Sequence, residues 1–125
     1  MRHTKKVWVV EDDDAFALII RKVFGEHTGI EVDVFRDGTE AVERVKNATV
    51  RLAHPVLLDL DFDYRSGFEV LEATRTSEKQ RSMPIISLTH TNSEKSLERA
   101  CSLGANNFLL KDDRLADTLH RMYEY

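Results

Sequence analysis

One cysteine, two prolines and five glycines are all that the 125 residues hold of the types that most often staple or break a chain. Cys101 stands alone, so no internal disulfide can form, and the fold must rest on its own core in a chain suited to a reducing compartment. With so little Pro and Gly, no internal repeat and no biased tract, no segment reads as a linker. No apolar run approaches the roughly 20 residues of a bilayer span. Residues 1–6, MRHTKK, lack the apolar region and small-residue cleavage site of a secretory signal. The expectation is a single domain over residues 1–125, cytoplasmic and without membrane contact. An excess of basic charge is missing as well. The formal net charge is −4, and Lys5, Lys6, Arg44, Lys46 and Arg51 are scattered, which argues against direct nucleic-acid binding.

What is there is a globular balance, 42% hydrophobic and 32% charged, in a chain long enough for one core. Short apolar runs at residues 7–10, 30–35, 56–60, 85–88 and 108–110 read as buried strands. Helical spacing fills the intervals. Phe16, Ile19, Ile20, Val23 and Phe24 fall at i, i+3, i+4, i+7 and i+8, one apolar stripe on a first helix. Ala41, Val42 and Val45 repeat the pattern on a second helix, and Val70, Leu71 and Ala73 on a third. A fourth opens on the capping box Thr91-Asn92-Ser93-Glu94, turns Leu97, Ala100 and Cys101 inward and closes near Gly104. A fifth, from about Asp113, carries Leu115, Leu119 and Met122. Five strands alternating with five helices imply a parallel sheet covered on both faces.

Folds of this kind bind ligands outside the carboxyl ends of their strands. The first strand runs into Glu11-Asp12-Asp13-Asp14, the third ends at Asp59, the fourth at Thr89 and the fifth at Lys111. A parallel sheet brings these distant positions to one edge, as a carboxylate cluster with one hydroxyl and one ammonium. Such a cluster calls for a counter-ion, and hard oxygen ligands suit Mg²⁺. The ion would lower the charge barrier to an incoming phosphoryl group. Asp59 is then the in-line nucleophile that becomes an aspartyl-phosphate, with Lys111 and Thr89 contacting the phosphoryl oxygens. Taken singly, each part has a plainer role: Asp13 or Asp14 as a helix cap, Thr89 and Lys111 as structural groups.

Together these residues resemble the receiver domains of two-component response regulators, over essentially the whole chain. Val9-Val10-Glu11-Asp12-Asp13 is similar to the family's acidic metal-binding turn, and Leu57-Leu58-Asp59-Leu60-Asp61 to its phosphoacceptor strand. Gly67 falls where the family's loop glycine opens the third helix. Pro84-Ile85-Ile86-Ser87-Leu88-Thr89 matches the strand that ends in the switch hydroxyl, and Gly104-Ala105 with Phe108 and Lys111 matches the fifth-strand region. The resemblance implies a flavodoxin-like (βα)5 three-layer sandwich with parallel strand order 2-1-3-4-5. It implies Glu11, Asp12, Asp59 and the Asp61 backbone carbonyl as the Mg²⁺ site, and Thr89 and Phe108 as the switch pair. It also implies a phosphoacceptor with at most self-catalysed phosphorylation and dephosphorylation, not a turnover enzyme.

The chain departs from the family pattern at several positions. Asp112 stands where Pro commonly follows the Lys, Asp63 replaces a Pro four residues after the acceptor, and His90 follows the switch Thr. His90 is where a bulky ring would narrow access to the phosphoryl site. His3, His27, His54 and His120 lack ligand-type spacing. By the same resemblance the donor is a histidine kinase or phosphotransfer protein docking near the first helix, where Ala15, Leu18 and Lys22 lie off the core stripe. Output passes to a downstream protein target, or to a homodimer, through the face of the fourth helix, fifth strand and fifth helix, where Arg99 and Arg121 lie. Two other readings share parts of the pattern. The Asp59-Leu60-Asp61 triplet also resembles the nucleophile strand of haloacid-dehalogenase-type phosphatases, although an acidic pair upstream of it is out of place there. A pseudo-receiver that signals without phosphate is the other.

Overall fold

The computed structural model describes residues 5–26, 29–52, 54–59, 64–89 and 94–123, without the side chains of residues 5, 64–66, 94–97 and 122–123. Ten elements alternate: β1 (Lys5–Val10), α1 (Asp14–Gly25), β2 (Ile30–Phe35), α2 (Gly38–Asn47), β3 (Val56–Asp59), α3 (Tyr64–Thr76), β4 (Ile85–Thr89), α4 (Glu94–Ser102), β5 (Asn107–Leu110) and α5 (Leu115–Tyr123). All strand pairs are parallel and the order is β2-β1-β3-β4-β5, the flavodoxin-like arrangement that the sequence implied. Among the described residues no helix is long and apolar enough to cross a membrane.

The alternation of side chains along each strand divides the core in two. Val7, Val9, Leu57 and Leu88 face one way, into a cluster with Ile20, Val23 and Phe24 of α1 and Leu115 and Leu119 of α5. Trp8, Val10, Val56, Leu58 and Ile85 face the other way, against α2, α3 and Ala100 of α4. β1 and β3 are buried on both faces, which explains why their sequences read as unbroken apolar runs instead of alternating ones. Two expectations need correction. Ile19 is 38% exposed, and Ala17 takes its place on the buried side of α1. Cys101 is exposed and not inward, because Ala100 and the turn at Gly104 supply the packing at that end of α4. The stretch from Thr91 to Ser93, the first part of the expected capping box, lies outside the described residues.

The amino edge of the sheet is tied by hydrogen bonds. The Arg75 guanidinium donates to the carbonyls of Gly104 (2.8 Å), Arg81 (2.9 Å) and Met83 (2.7 Å) and to Asn106 Oδ1 (2.8 Å), joining α3 to the α4–β5 loop. Gly104 has φ +107°, and a Cβ there would lie 2.7 Å from Arg75 Cγ, so both backbone and space select glycine. Gln80, fully buried, accepts from Leu52 N–H (2.6 Å) and donates to the Val50 carbonyl (2.7 Å), holding the α2–β3 loop.

His54 sits at this same edge, its ring 4.8 Å from that of Trp8, with a buried Nε2 that has no hydrogen-bond partner. Burial pushes the imidazole below its ordinary value, the Lys6 ammonium adds to this, and the Asp33 carboxylate opposes it. The unfolded chain therefore takes up a proton at His54 more readily than the folded one. Stability is full above about pH 6.5 and is lost as pH falls below it. We expect acidification from about pH 7.5 to about pH 5.5 to lower the thermal midpoint less in His54→Phe than in the parent, all other titrations being shared. Equal losses would show that the His54 ring is wetted.

Candidate phosphoryl and metal site

At the carboxyl edge, four strand ends converge. Glu11 follows β1, Asp59 ends β3, Thr89 ends β4 and Lys111 follows β5. All four are buried, with Glu11 and Asp59 each 1% exposed. The local backbone explains the placement. Asp13 caps α1, its Oδ1 accepting from Ala15 N–H at 2.9 Å, while Glu11 Oε1 accepts from Asp13 N–H at 3.1 Å. That turn directs Glu11 inward and leaves Asp12 exposed at the mouth. On the other side, Lys111 N–H donates to the Thr89 carbonyl at 2.8 Å, extending the β4–β5 ladder by one residue. Asp112, where a Pro is common, forms the turn into α5: its Oδ1 accepts from Arg114 N–H (2.9 Å) and its carbonyl from Leu115 N–H (3.1 Å).

Lys111 Nζ donates to Asp59 Oδ2 at 2.6 Å and lies 2.7 Å from Glu11 Oε2, an ion-pair contact without hydrogen-bond alignment. Among the described residues the Phe16 ring also meets it, 4.7 Å to the centroid. Burial pushes the Glu11 carboxyl up to about 8, reinforced by its hydrogen bond and repulsion with Asp59 and opposed by Lys111. For Lys111, burial acts to lower the ammonium's pKa, but contacts with Asp59 and Glu11 outweigh it and the net shift is upward. Two buried carboxylates against one ammonium leave a negative charge to be cancelled by a proton or by a cation.

A ligand oxygen from each of Glu11, Asp12 and Asp59 lies within 4.8 Å of the others, a hard-oxygen set that suits a divalent ion with retained waters. Glu11 Oε2, buried and outside any aligned hydrogen bond, meets the Lys111 ammonium at 2.7 Å. Every described residue singled out from the sequence for this chemistry thus falls at one edge. Asp61, Asp63 and His90 lie outside the described residues, as do His3, His27 and Tyr125. Phe108 is 38% exposed on β5, opposite Ser87 of β4. Arg99 lies 4.4 Å over the ring of Phe68, joining α4 to α3. Leu18 is exposed on α1, off the core as expected. What the sequence did not disclose is Phe16, which reads as one more member of an apolar stripe.

The family model for the response regulator receiver domain matches residues 7–123. Among curated proteins, the probable methanogenesis regulatory protein FilR2 of Methanothrix harundinacea is 32% identical, over 95% of this chain and 81% of that protein. The autoinducer sensor kinase/phosphatase CqsS of Vibrio cholerae is 30% identical over 88% of this chain, which spans 16% of the longer protein. The solved structure of the phosphorylated cyanobacterial phytochrome response regulator RcpA superimposes with a TM-score of 0.86 at 25% identity, covering 98% of this chain and 93% of that one. Strand order, the acidic set at the carboxyl edge and the family match agree: the chain belongs to the response regulator receiver domain family.

Proposed function

We propose that residues 1–125 work as one cytoplasmic receiver domain in two-component signalling, accepting a phosphoryl group on Asp59 with Mg²⁺ bound by Glu11, Asp12, Asp59 and the Asp61 carbonyl. The observation that carries this reading is the Lys111 ammonium 2.6 Å from a buried Asp59, beside two further carboxylates at the carboxyl edge. The donor is a phosphohistidine on a histidine kinase or phosphotransfer protein, docking over the exposed Leu18 face of α1. An Asp59 oxygen attacks phosphorus, the P–N bond breaks, and the imidazole leaves with the electron pair and takes up a proton. Mg²⁺, when bound, supplies charge neutralisation for the phosphoryl oxygens. Lys111 stays close to Asp59 and pairs with the oxygens that arrive, and Thr89 offers its hydroxyl from the neighbouring strand. No proton need leave Asp59 and no general base is required, so positioning accounts for most of the catalysis.

Output follows as a population shift in which phosphate favours one of two states of Thr89 and Phe108. A shallow depression of about 250 Å³ beside Phe108, lined by Leu110, Asp112, Arg114 and Thr118, lies where a downstream protein or a second copy of the chain reads that state on the α4–β5–α5 face.

Two outcomes test the reading. Incubation with phosphorylated candidate kinases and Mg²⁺ labels the parent, and Asp59→Asn takes no label; label retained in that variant moves the acceptor elsewhere. Because Asp12 is exposed, Asp12→Ala isolates the metal with little effect on folding. Millimolar Mg²⁺ raises the thermal midpoint of the parent by mass action on the folded state and leaves that of Asp12→Ala unmoved. Equal rises in the two proteins would place the ion away from this cluster.

A further inference from the structure

The Lys111 side chain is 1% exposed, so each of its three N–H donors must find a partner inside the protein. Asp59 Oδ2 takes one in good alignment, and Glu11 Oε2 sits nearby without it. The ammonium also lies over the ring of Phe16, 4.7 Å from nitrogen to centroid. Phe16 lies in the first turn of α1, directly after the acidic turn that Asp13 caps, and packs against the α1–α5 core cluster. The same short segment therefore presents Glu11 and the aromatic face to one ammonium. An aliphatic side chain could fill that volume, but it would leave a desolvated cation against carbon and hydrogen with no negative face to meet it.

We infer that Phe16 is a positioning residue for phosphoryl transfer, its ring face holding the Lys111 ammonium in place at Asp59. The inference rests on Asp59 being the phosphoacceptor. Phe16 touches neither the acceptor oxygen nor the incoming group; it acts through Lys111. Two carboxylates pull on the ammonium, and one of them, Asp59, is the acceptor. An ammonium drawn wholly into the pair with Asp59 masks the acceptor, whereas one also held by the ring keeps to a fixed point where an arriving phosphoryl oxygen meets it. Loss of the ring face frees the lysine to move among Asp59, Glu11 and any water that enters.

The experiment uses a small phosphoramidate as donor, so that docking of a protein partner on α1 does not enter. The full chain is compared with Phe16→Tyr, which keeps the ring, and Phe16→Met, which keeps apolar bulk without it. Phosphorylation is expected to slow about tenfold in Phe16→Met, the size that loss of a buried cation–π contact corresponds to, and to stay near the parent rate in Phe16→Tyr. Progressively fluorinated phenylalanine at position 16 drains the ring face at nearly constant size and serves if Phe16→Met folds poorly. Its rate should fall in step with fluorination while the thermal midpoint holds. A Phe16→Met rate equal to the parent's, or a flat fluorination series, overturns the role of Phe16. A parent chain that takes no label from the donor overturns instead the assignment of Asp59, and this inference with it.

Discussion

A single ammonium without water around it organises the carboxyl edge of the sheet. Lys111 follows β5, Asp59 ends β3 and Glu11 follows β1, and β4 stands between the first two. Two strand spacings, roughly 10 Å, separate β5 from β3, a gap that only a long side chain can cross. The Lys111 backbone N–H is held by the Thr89 carbonyl at the end of β4. The ion pair therefore exists only while β1, β3, β4 and β5 hold their register. Removing one partner from such a buried pair typically costs about 3–5 kcal/mol, because the other charge is left without compensation. Here there are two carboxylates, and burial first, then Asp59 beside it, pushes the Glu11 carboxyl up.

The opposite edge is built on a different principle. Arg75 and Gln80 spend their donors on backbone carbonyls and the Asn106 amide, tying α3, the α2–β3 loop and the α4–β5 turn into one unit. Those contacts all run to neutral oxygens. One edge of the sheet is thus tied by hydrogen bonds to neutral groups, while the other gathers three carboxylates and one buried ammonium. The glycine at position 104 belongs to the hydrogen-bonded edge, since its positive φ and the Arg75 side chain against it admit no Cβ.

The strand runs and the convergence of Glu11, Asp12, Asp59, Thr89 and Lys111 were legible in the residues, and the strand order came only through the resemblance to receiver domains. In a doubly wound fold, burial on both faces writes strands as continuous apolar runs, and the polar residues that end them stand out. Side-chain direction within helices was less legible. Ile19 and Cys101 have the right spacing and chemistry for the core, yet the first is turned outward and Ala17, a residue too small to draw notice, packs in its place. At the end of α4 the buried position goes to Ala100, and Cys101 faces out. Phe16 carries no sequence signal for its contact with Lys111, because periodicity reports that a residue is apolar and not what its ring lies over. Asp112 was legible only as a missing proline, and its use as the turn into α5 emerges from the hydrogen bonds it accepts.

The central claim is that the Asp59–Lys111–Glu11 cluster is a phosphoryl site coupled to Thr89 and Phe108, and not a static ion pair. Amide spectra recorded before and after adding Mg²⁺ and beryllofluoride, a phosphoryl mimic, test it most directly. The account predicts shifts at Asp59, Thr89, Lys111 and Phe108 in the parent and none in Asp59→Asn. A parent spectrum that does not move would contradict it and mark the chain as a receiver fold that signals without phosphate.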